Sequence, residues 1–348
     1  MLRILPRPVA RKRNPRNRHA AAPKVLVNRR GPPQDRLCMA SFTLPWTALP
    51  PPEVVGGAVT VGNFDGVHRG HRALVAAANH WAARVGGPAV AVTFDPSPLH
   101  VLNPAAAKPP LSTHAARVHD LLAGGAAHVV TLQTDAALLS LSPEAFFEDV
   151  VVGLFGARAV VEGYNFRFGR GRSGDVALLR GLCTRAGIAF EEVPPLVVDG
   201  TAVSSSRVRA ALSDGDVVEA ADLLGRAYRI SGTVVTGARR GRTIGFPTAN
   251  LGHVQTLLPK EGVYAVRAVV GGVTHPAAAN VGPNLTFGDD ARKIEIHLID
   301  FTGDLYGQEM TVEFAARLRD TKPFAGVAEL VAQLEKDVAA ARQILSIK

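Results

Sequence analysis

The chain has 348 residues, 47% of them hydrophobic and 20% charged, which suits about two globular domains of roughly 150 residues each and excludes a fibrous or wholly disordered polymer. No uninterrupted apolar run is long enough to cross a bilayer, and only two cysteines, Cys38 and Cys183, argue against a disulfide framework and fit a reducing, cytoplasmic setting. The formal charge of +9 is concentrated in residues 1–40, where eleven Arg and Lys meet one acid, Asp35; the other 28 bases and 29 acids leave the body at −1, without the positive excess that drives nucleic-acid binding.

Residues 1–40, rich in Arg, Pro and Asn and lacking hydrophobic periodicity, are expected to be a disordered basic tail. Their composition fits an organellar transit peptide, a nucleic-acid arm, or an upstream stretch outside the native protein, with translation starting at Met39. We favour the third reading, because the first segment of globular character begins just after Met39. The body divides where the periodicity changes, into residues 41–225 and 226–348.

In the first half, Ala58–Val61 is a short apolar run suited to a buried strand, and Leu74, Ala77, Ala78, Trp81, Ala82 and Val85 mark a helix after the glycine-bearing loop Gly62–Gly70. With a second buried run at Pro88–Phe94, this strand–loop–helix–strand unit predicts parallel pairing, with the loop at the strand's carboxyl end. His68, Gly70 and His71 fall where the helix starts. Two imidazoles and free backbone N–H groups there would face an anion with the helix dipole behind them, and Gly70 would let a phosphate approach the backbone. The loop lacks the Lys-Ser/Thr of a P-loop, and no third ligand has a spacing that suggests zinc.

Asp95, at the end of the next strand, reads as a turn cap before Pro96 or as a ligand for a ribose hydroxyl, a metal or a catalytic His. Helices are predicted over His114–Leu122, from Ser142 to about Phe155, and over Asp175–Ala186, alternating with strands at His128–Leu132, Ala159–Val161 and Phe190–Val193. Ser142 and Pro143 are a good helix start, as N-cap and first helical residue. The Glu162–Gly174 stretch, with three Arg and four Gly, suits a phosphate- or base-contacting loop or a solvated basic turn. Ser204, Ser205 and Ser206 open another helix with Arg209 one turn in, an arrangement that grips polyphosphate or simply caps the helix. A short connecting helix from Leu212 to Arg226 follows, its Asp214-Gly215-Asp216 turn marking the joint.

From Tyr228 the pattern becomes strand-like at Tyr228–Val235, Val263–Val270, Val273–Ala279, Lys293–Phe301 and Glu309–Phe314, which predicts a β-barrel. Gly271-Gly272 is a two-residue hairpin signal. A terminal amphipathic helix over roughly Gly326–Leu345 is expected to pack Leu330, Leu334, Val338 and Ile344 against the barrel. The basic loop Gly237–Asn250, ending Pro-Thr-Ala-Asn, is more than a barrel needs for closure.

Several of these stretches carry a family resemblance. The string Gly62-Asn63-Phe64-Asp65-Gly-Val-His68-Arg-Gly70-His71 contains the His-x-Gly-His signature of nucleotidyltransferases, and as a whole resembles the FMN adenylyltransferase module of bacterial bifunctional riboflavin kinase/FAD synthetases. Gly163–Gly169, with Asn165 at its polar position, resembles that family's Gly-x-Asn/Asp-Phe-x-Phe-Gly motif. Val203–Arg209 resembles Ile-Ser-Ser-Thr-x-x-Arg, with Val203 for Ile and Ser206 for Thr. Gly237–Asn250 resembles the riboflavin kinase signature, and Asn280–Gly288 a second kinase motif. The resemblance covers roughly residues 41–348 and departs at Ser97, where the family usually has His, and at Leu285, where it commonly has Pro.

The resemblance implies an α/β nucleotidyltransferase domain with a Rossmann-like, doubly wound parallel sheet, followed by a β-barrel riboflavin kinase domain with a C-terminal helix. The implied activity is ATP-dependent phosphorylation of riboflavin to FMN, then adenylylation of FMN to FAD plus pyrophosphate. In the first domain His68, His71 and Arg209 would neutralise phosphate charge, with Gly62, Asn63, Phe64, Asp65, Gly70, Asp95, Asn165, Ser205 and Ser206 binding ATP or flavin. In the second, Thr248 would ligate Mg²⁺, Asn250 would contact nucleotide or flavin beneath a loop carrying Arg242 and Gly245, and Glu295 would be the general base. On residue pattern alone Glu295 reads as a solvated strand position. The expected partners are riboflavin, FMN and ATP, with neither membrane nor nucleic acid for the body; an oligomer is compatible with the sequence.

Overall fold

A computed structural model of the chain describes residues 24–27, 39–237, 240–284 and 289–346. Cys38 and Leu285 lie outside the described residues. The first sheet contains β1 (Lys24–Val27), β2 (Ala40–Pro45), β3 (Ala58–Val61), β4 (Ala89–Asp95), β5 (His128–Gln133), β6 (Ala159–Gly163) and β7 (Ala189–Val193), in the order β1-β2-β5-β4-β3-β6-β7. Every pairing from β2 to β7 is parallel. The structure corrects the expectation of a structureless tail at one place: Lys24–Val27 adds to β2 as an antiparallel edge strand. Its Lys-Val-Leu-Val sequence suits a strand, and β2 otherwise presents an unpaired edge.

The strands read as unbroken apolar runs because both sheet faces are covered. The helix Arg69–Val85 buries Val75, Ala78 and Ala82 on one side. On the other lies the segment opened by Ser142, whose hydroxyl accepts the Ala145 N–H at 3.1 Å. That segment is one turn of α-helix, Pro143–Phe146, continued by π-helix over Phe147–Leu154. The wider turns bring Phe147, Val150, Val151 and Leu154 all to the core.

β3 is the topological switch point: β4 lies on one side and β6 on the other. Its pairing with β6 stops at Val59–Val160, so the carboxyl ends of the two strands separate and open a cleft where such folds bind ligands.

A two-stranded ribbon, β8 (Val197–Val198) and β9 (Thr201–Ala202), not anticipated from sequence, precedes the helices Ser205–Asp214 and Val217–Leu224. The second half is a closed barrel of β10 (Tyr228–Val235), β11 (Ala249–Gly252), β12 (Gly262–Val270), β13 (Val273–Asn284), β14 (Asp289–Leu298) and β15 (Glu309–Arg319), in the order β10-β11-β14-β13-β12-β15. β12 and β13 meet at Gly271-Gly272, whose φ values of +56° and +81° are those a tight two-residue hairpin requires.

The terminal helix spans Val327–Ser346, as expected, but its inward row is not. Ile344 is 39% exposed, and Leu345 takes its place behind Ala341 and Asp337. These three recur every four residues, so the fully buried stripe runs one residue before Val338 and one after Ile344. Asp337 is buried and held by Arg319 of β15, Nη2 to Oδ2 at 2.6 Å and Nε to Oδ1 at 3.0 Å. Asp337→Ala leaves that arginine facing a buried gap and should lower unfolding free energy by about 3 kcal/mol, measured by denaturant titration.

Candidate active sites

The loop after β3 has an unusual backbone. Phe64, Gly66 and Val67 have φ of +46°, +81° and +43°, a conformation costly for any side chain and most of all for β-branched Val67. Several segments hold it in place. Asp65 Oδ1 accepts the N–H of Leu111 at 2.8 Å and of Ser112 at 3.4 Å, while Oδ2 pairs with Arg209 Nη2 at 2.5 Å. Ser205 donates to the Asp65 carbonyl at 2.9 Å. Buried Arg117 donates to the carbonyls of Asn63 (3.0 Å) and Phe94 (3.3 Å), tying this loop to the end of β4.

The loop delivers His68 to the N-cap of the Arg69–Val85 helix, where its Nδ1 accepts the His71 N–H at 3.3 Å. The two imidazoles stack at 3.6 Å between centroids, and His71 meets the Phe64 ring edge-on at 5.2 Å. A Cβ on Gly70 would lie 3.1 Å from the His68 ring, so this glycine protects the imidazole stack, a reason separate from phosphate approach.

A cavity of about 260 Å³ opens in front of this stack, between the separated ends of β3 and β6. Of the residues expected here, Gly62, Phe64, His68, Gly70, His71, Asn165 and Ser205 line it. Asn63, Asp65, Asp95, Ser206 and Arg209 do not. Arg209 is occupied by Asp65 and by the Pro109 carbonyl, at 2.6 Å. Asp95, at the exposed end of β4, lies in the electrostatic neighbourhood of His114 and Arg117.

Burial lowers His68 from 6.5 to about 4. His71 is also pushed well down, first by burial and then by His68 and Arg117. Glu162, on the cavity wall at 1% exposure, accepts the Val61 N–H at 2.6 Å, filling in for the ladder partner β3 lacks there. Burial pushes its pKa well up. Sequence reasoning assigned no role to Arg117 or Glu162. A lone Arg on a helix and a Glu at a strand end look solvated until the other segments are in place.

The second site lies on the barrel. A cavity of about 630 Å³ is lined by Arg242, Thr248 and Asn250, with Phe301, Asp304 and Tyr306 opposite. A Cβ on Gly237 would come within 2.1 Å of the Asn250 amide, so only glycine lets the two lie together. Glu295 does not line this cavity, but it is the direct cross-strand partner of Asn250 on β11 and of Asn280 on β13. Direct partners in antiparallel strands share a face, so Asn250, Glu295 and Asn280 form one polar row. Gly245 sits in an exposed turn at φ +86°. His297 Nδ1 lies 2.9 Å from the Pro247 carbonyl. A carbonyl only accepts, so the imidazole carries its proton there and braces the residue before Thr248, a contact no motif signals.

A helix mouth with paired imidazoles at a sheet's switch point, joined to a barrel with a hydroxyl and amide under a basic loop, defines a two-site transferase that handles nucleotides. The comparisons agree. A riboflavin kinase family model matches residues 224–345 and an FAD synthetase model residues 51–207. A bifunctional riboflavin kinase/FMN adenylyltransferase from Pseudomonas fluorescens is 38% identical over 295 residues, covering 84% of this chain and 94% of its own. The protein of that name from Escherichia coli K12 is 34% identical with the same coverage, and that from Bacillus subtilis is 35% identical, covering 82% and 91%. A Streptococcus pneumoniae crystal structure described as a macrolide-efflux protein superposes with TM-score 0.78 at 32% identity, covering 87% of this chain and 98% of that one. Among the described residues no helix is long and apolar enough to cross a membrane. The chain belongs to the bifunctional riboflavin kinase/FMN adenylyltransferase family.

The lowered His68 pKa has a consequence for stability. The unfolded imidazole takes up a proton near 6.5 and the folded one only near 4, so its contribution is present above 6.5 and lost as pH falls through that interval. His68→Asn keeps a good N-cap and removes the titration. Melting temperatures recorded across that pH range should fall less steeply for the variant than for the wild type.

Proposed function

We infer that the two cavities serve successive steps on one flavin. The barrel phosphorylates riboflavin to FMN with ATP, and the α/β domain joins FMN to the adenylyl group of a second ATP, yielding FAD and pyrophosphate. The observation that carries this reading is the match of two different enzyme families to the two halves, each half bearing its own cavity.

In the barrel, Glu295 would take the proton of the riboflavin 5′-hydroxyl as it attacks the γ-phosphorus, with Asn250 and Asn280 as its cross-strand neighbours on either side. A Mg²⁺ ion fits the donors present. The Thr248 hydroxyl and Asn250 amide oxygen are hard oxygen ligands, the kind that suit an ion also bound through substrate phosphates. Thr248 would hold it, and the ion would supply neutralisation of the phosphate charge.

In the α/β domain the attacking FMN phosphate is already an anion, so positioning matters more than a base. Because His68 Nδ1 is an acceptor, the neutral ring carries its proton on Nε2 and donates from there. With His71 and the helix N-terminus it forms a donor set for the α-phosphate. Asn165 and Ser205 complete the cleft wall. Arg209, in this reading, braces the loop through Asp65 and meets a phosphate only by leaving that partner. Buried Cys183, its thiol pushed up to about 11 by burial, is chemically quiet, as a cytoplasmic setting permits.

Incubation with riboflavin, ATP and Mg²⁺, followed by chromatography of the flavins, tests both assignments. His71→Ala should reduce FAD formation on the order of 10²–10³-fold while FMN accumulates. Glu295→Ala should block FMN formation yet leave added FMN convertible to FAD. Loss of both steps in either folded variant would refute the assignment of independent sites.

A further inference from the structure

The segment leading into the barrel reaches back to the strained loop of the other domain. Arg226, two residues ahead of β10, donates from Nη2 to the Gly66 carbonyl at 2.9 Å and to Asp120 Oδ2 at 2.5 Å. Asp120, on the helix His114–Ala123, has a side chain only 5% exposed, and its other oxygen pairs with Arg229 of β10 at 2.5 Å. Arg226 falls in the stretch matched to riboflavin kinase, whereas Gly66 and Asp120 fall in the stretch matched to FAD synthetase.

Gly66 lies between Phe64 and Val67, whose left-handed backbones persist only where the surroundings over-determine them. Its own N–H faces the Ser112 hydroxyl at 3.2 Å, and its carbonyl is held by Arg226. His68 follows two residues later, so a shift of this peptide moves the imidazole at the helix mouth.

We propose that Arg226 is a positioning residue for adenylyl transfer: a guanidinium supplied from the kinase half clamps the Gly66 carbonyl and so fixes the turn that delivers His68 and His71 to the cleft. Arg226 does not line that cavity and acts only through the loop. A single terminal nitrogen, Nη2, serves the carbonyl and the carboxylate together, and the planar head fixes where its two N–H groups point. The adenylyltransferase site is therefore completed by a side chain that the kinase half contributes. This inference rests on placing adenylyl transfer at the His68–His71 cleft.

The test compares full-length Arg226→Gln, Arg226→Lys, Arg229→Gln and His71→Ala, measuring kcat and KM for each half-reaction together with the melting temperature. Arg226→Gln should lower kcat for FMN adenylylation by up to about 100-fold, the cost of a small misplacement, with riboflavin phosphorylation unchanged. Arg226→Lys, which keeps a charge beside Asp120 on a non-planar head, should fall between and carries the test if the Gln variant does not fold. Arg229→Gln breaks the other half of the same buried ion pair without touching Gly66. It should lower the melting temperature and leave adenylylation kcat intact. Equal losses of adenylylation at Arg226 and Arg229, in step with stability, would overturn the proposal, as would full activity in Arg226→Gln. If His71→Ala stays active, the cleft assignment itself fails; if it is inactive while the Arg226 variants are normal, only the clamp does.

Discussion

Two residues with side chains, Phe64 and Val67, hold left-handed backbone within four positions of one another, at a cost on the order of 1–3 kcal/mol each. One local bond, from the Val67 N–H to the Phe64 carbonyl at 3.0 Å, is worth only about 1 kcal/mol net and does not offset that cost alone. What does so is a ring of contacts from distant segments: Leu111 and Ser112 on one Asp65 oxygen, Arg209 on the other, Ser205 on the Asp65 carbonyl, Arg117 on the Asn63 carbonyl and Arg226 on Gly66. At about 1 kcal/mol net per hydrogen bond, and more where one partner is charged, the set is large enough to impose the turn. The turn, in turn, sets the helix mouth at the one place where β3 and β6 separate.

On the proposed reading the two cavities would meet phosphate in different ways. In the α/β domain the imidazoles have pKa values depressed by burial and Glu162 has one raised by it. Each shift favours the neutral form, so attraction for an anion would have to come from oriented N–H groups and the helix dipole. Such a wall is preorganised and does not rearrange when charge develops. On the barrel the arrangement is more open. A polar row on the strands, Asn250 with Glu295 and Asn280, lies beside a cavity whose wall carries Arg242. Charge there comes from a side chain on a short exposed helix, Arg240–Thr243.

Much of this architecture was legible in the sequence because it is written in local signals. The strand–loop–helix–strand unit, Ser142 and Ser204 as N-caps, and the Gly271-Gly272 hairpin each follow from a few adjacent residues. The motif strings fall at both cavities, bringing His68, His71, Asn165 and Ser205 to one and Arg242, Thr248 and Asn250 to the other. What escaped depends on partners far along the chain. Arg117 sits on a short amphipathic helix, and no spacing rule says that its guanidinium is buried under two loops. Glu162 is needed because β3 stays paired with β4 for two residues, Thr60 and Val61, beyond its last pair with β6. The terminal helix shows a subtler failure: Ile344 and Leu345 are adjacent apolar residues, and the choice between them was settled by Asp337, a polar residue drawn inward by Arg319. Arg209 was placed on the phosphate by its motif position, and the structure finds it on Asp65.

The change of periodicity at residue 226 marks a change of secondary structure, and the packing does not divide there. Val208, Leu212, Val217, Leu223 and Leu224, on helices that precede that boundary, share a continuous apolar cluster with Tyr228, Ile230, Tyr264 and Phe314 of the barrel. Backbone bonds cross the joint as well, from Leu257 to Pro110 and from Lys260 to Leu212, each at 2.8 Å. Interfaces between independent domains are usually more polar and leave relative motion as the default. This one is largely apolar in its core, and Asp120 adds two buried ion pairs with fixed geometry beside it. An apolar core supplies attraction without direction; the ion pairs supply direction, and one of them ends on Gly66. Two activities joined in this way share a wall, so the turn that holds the imidazoles is built partly from the barrel.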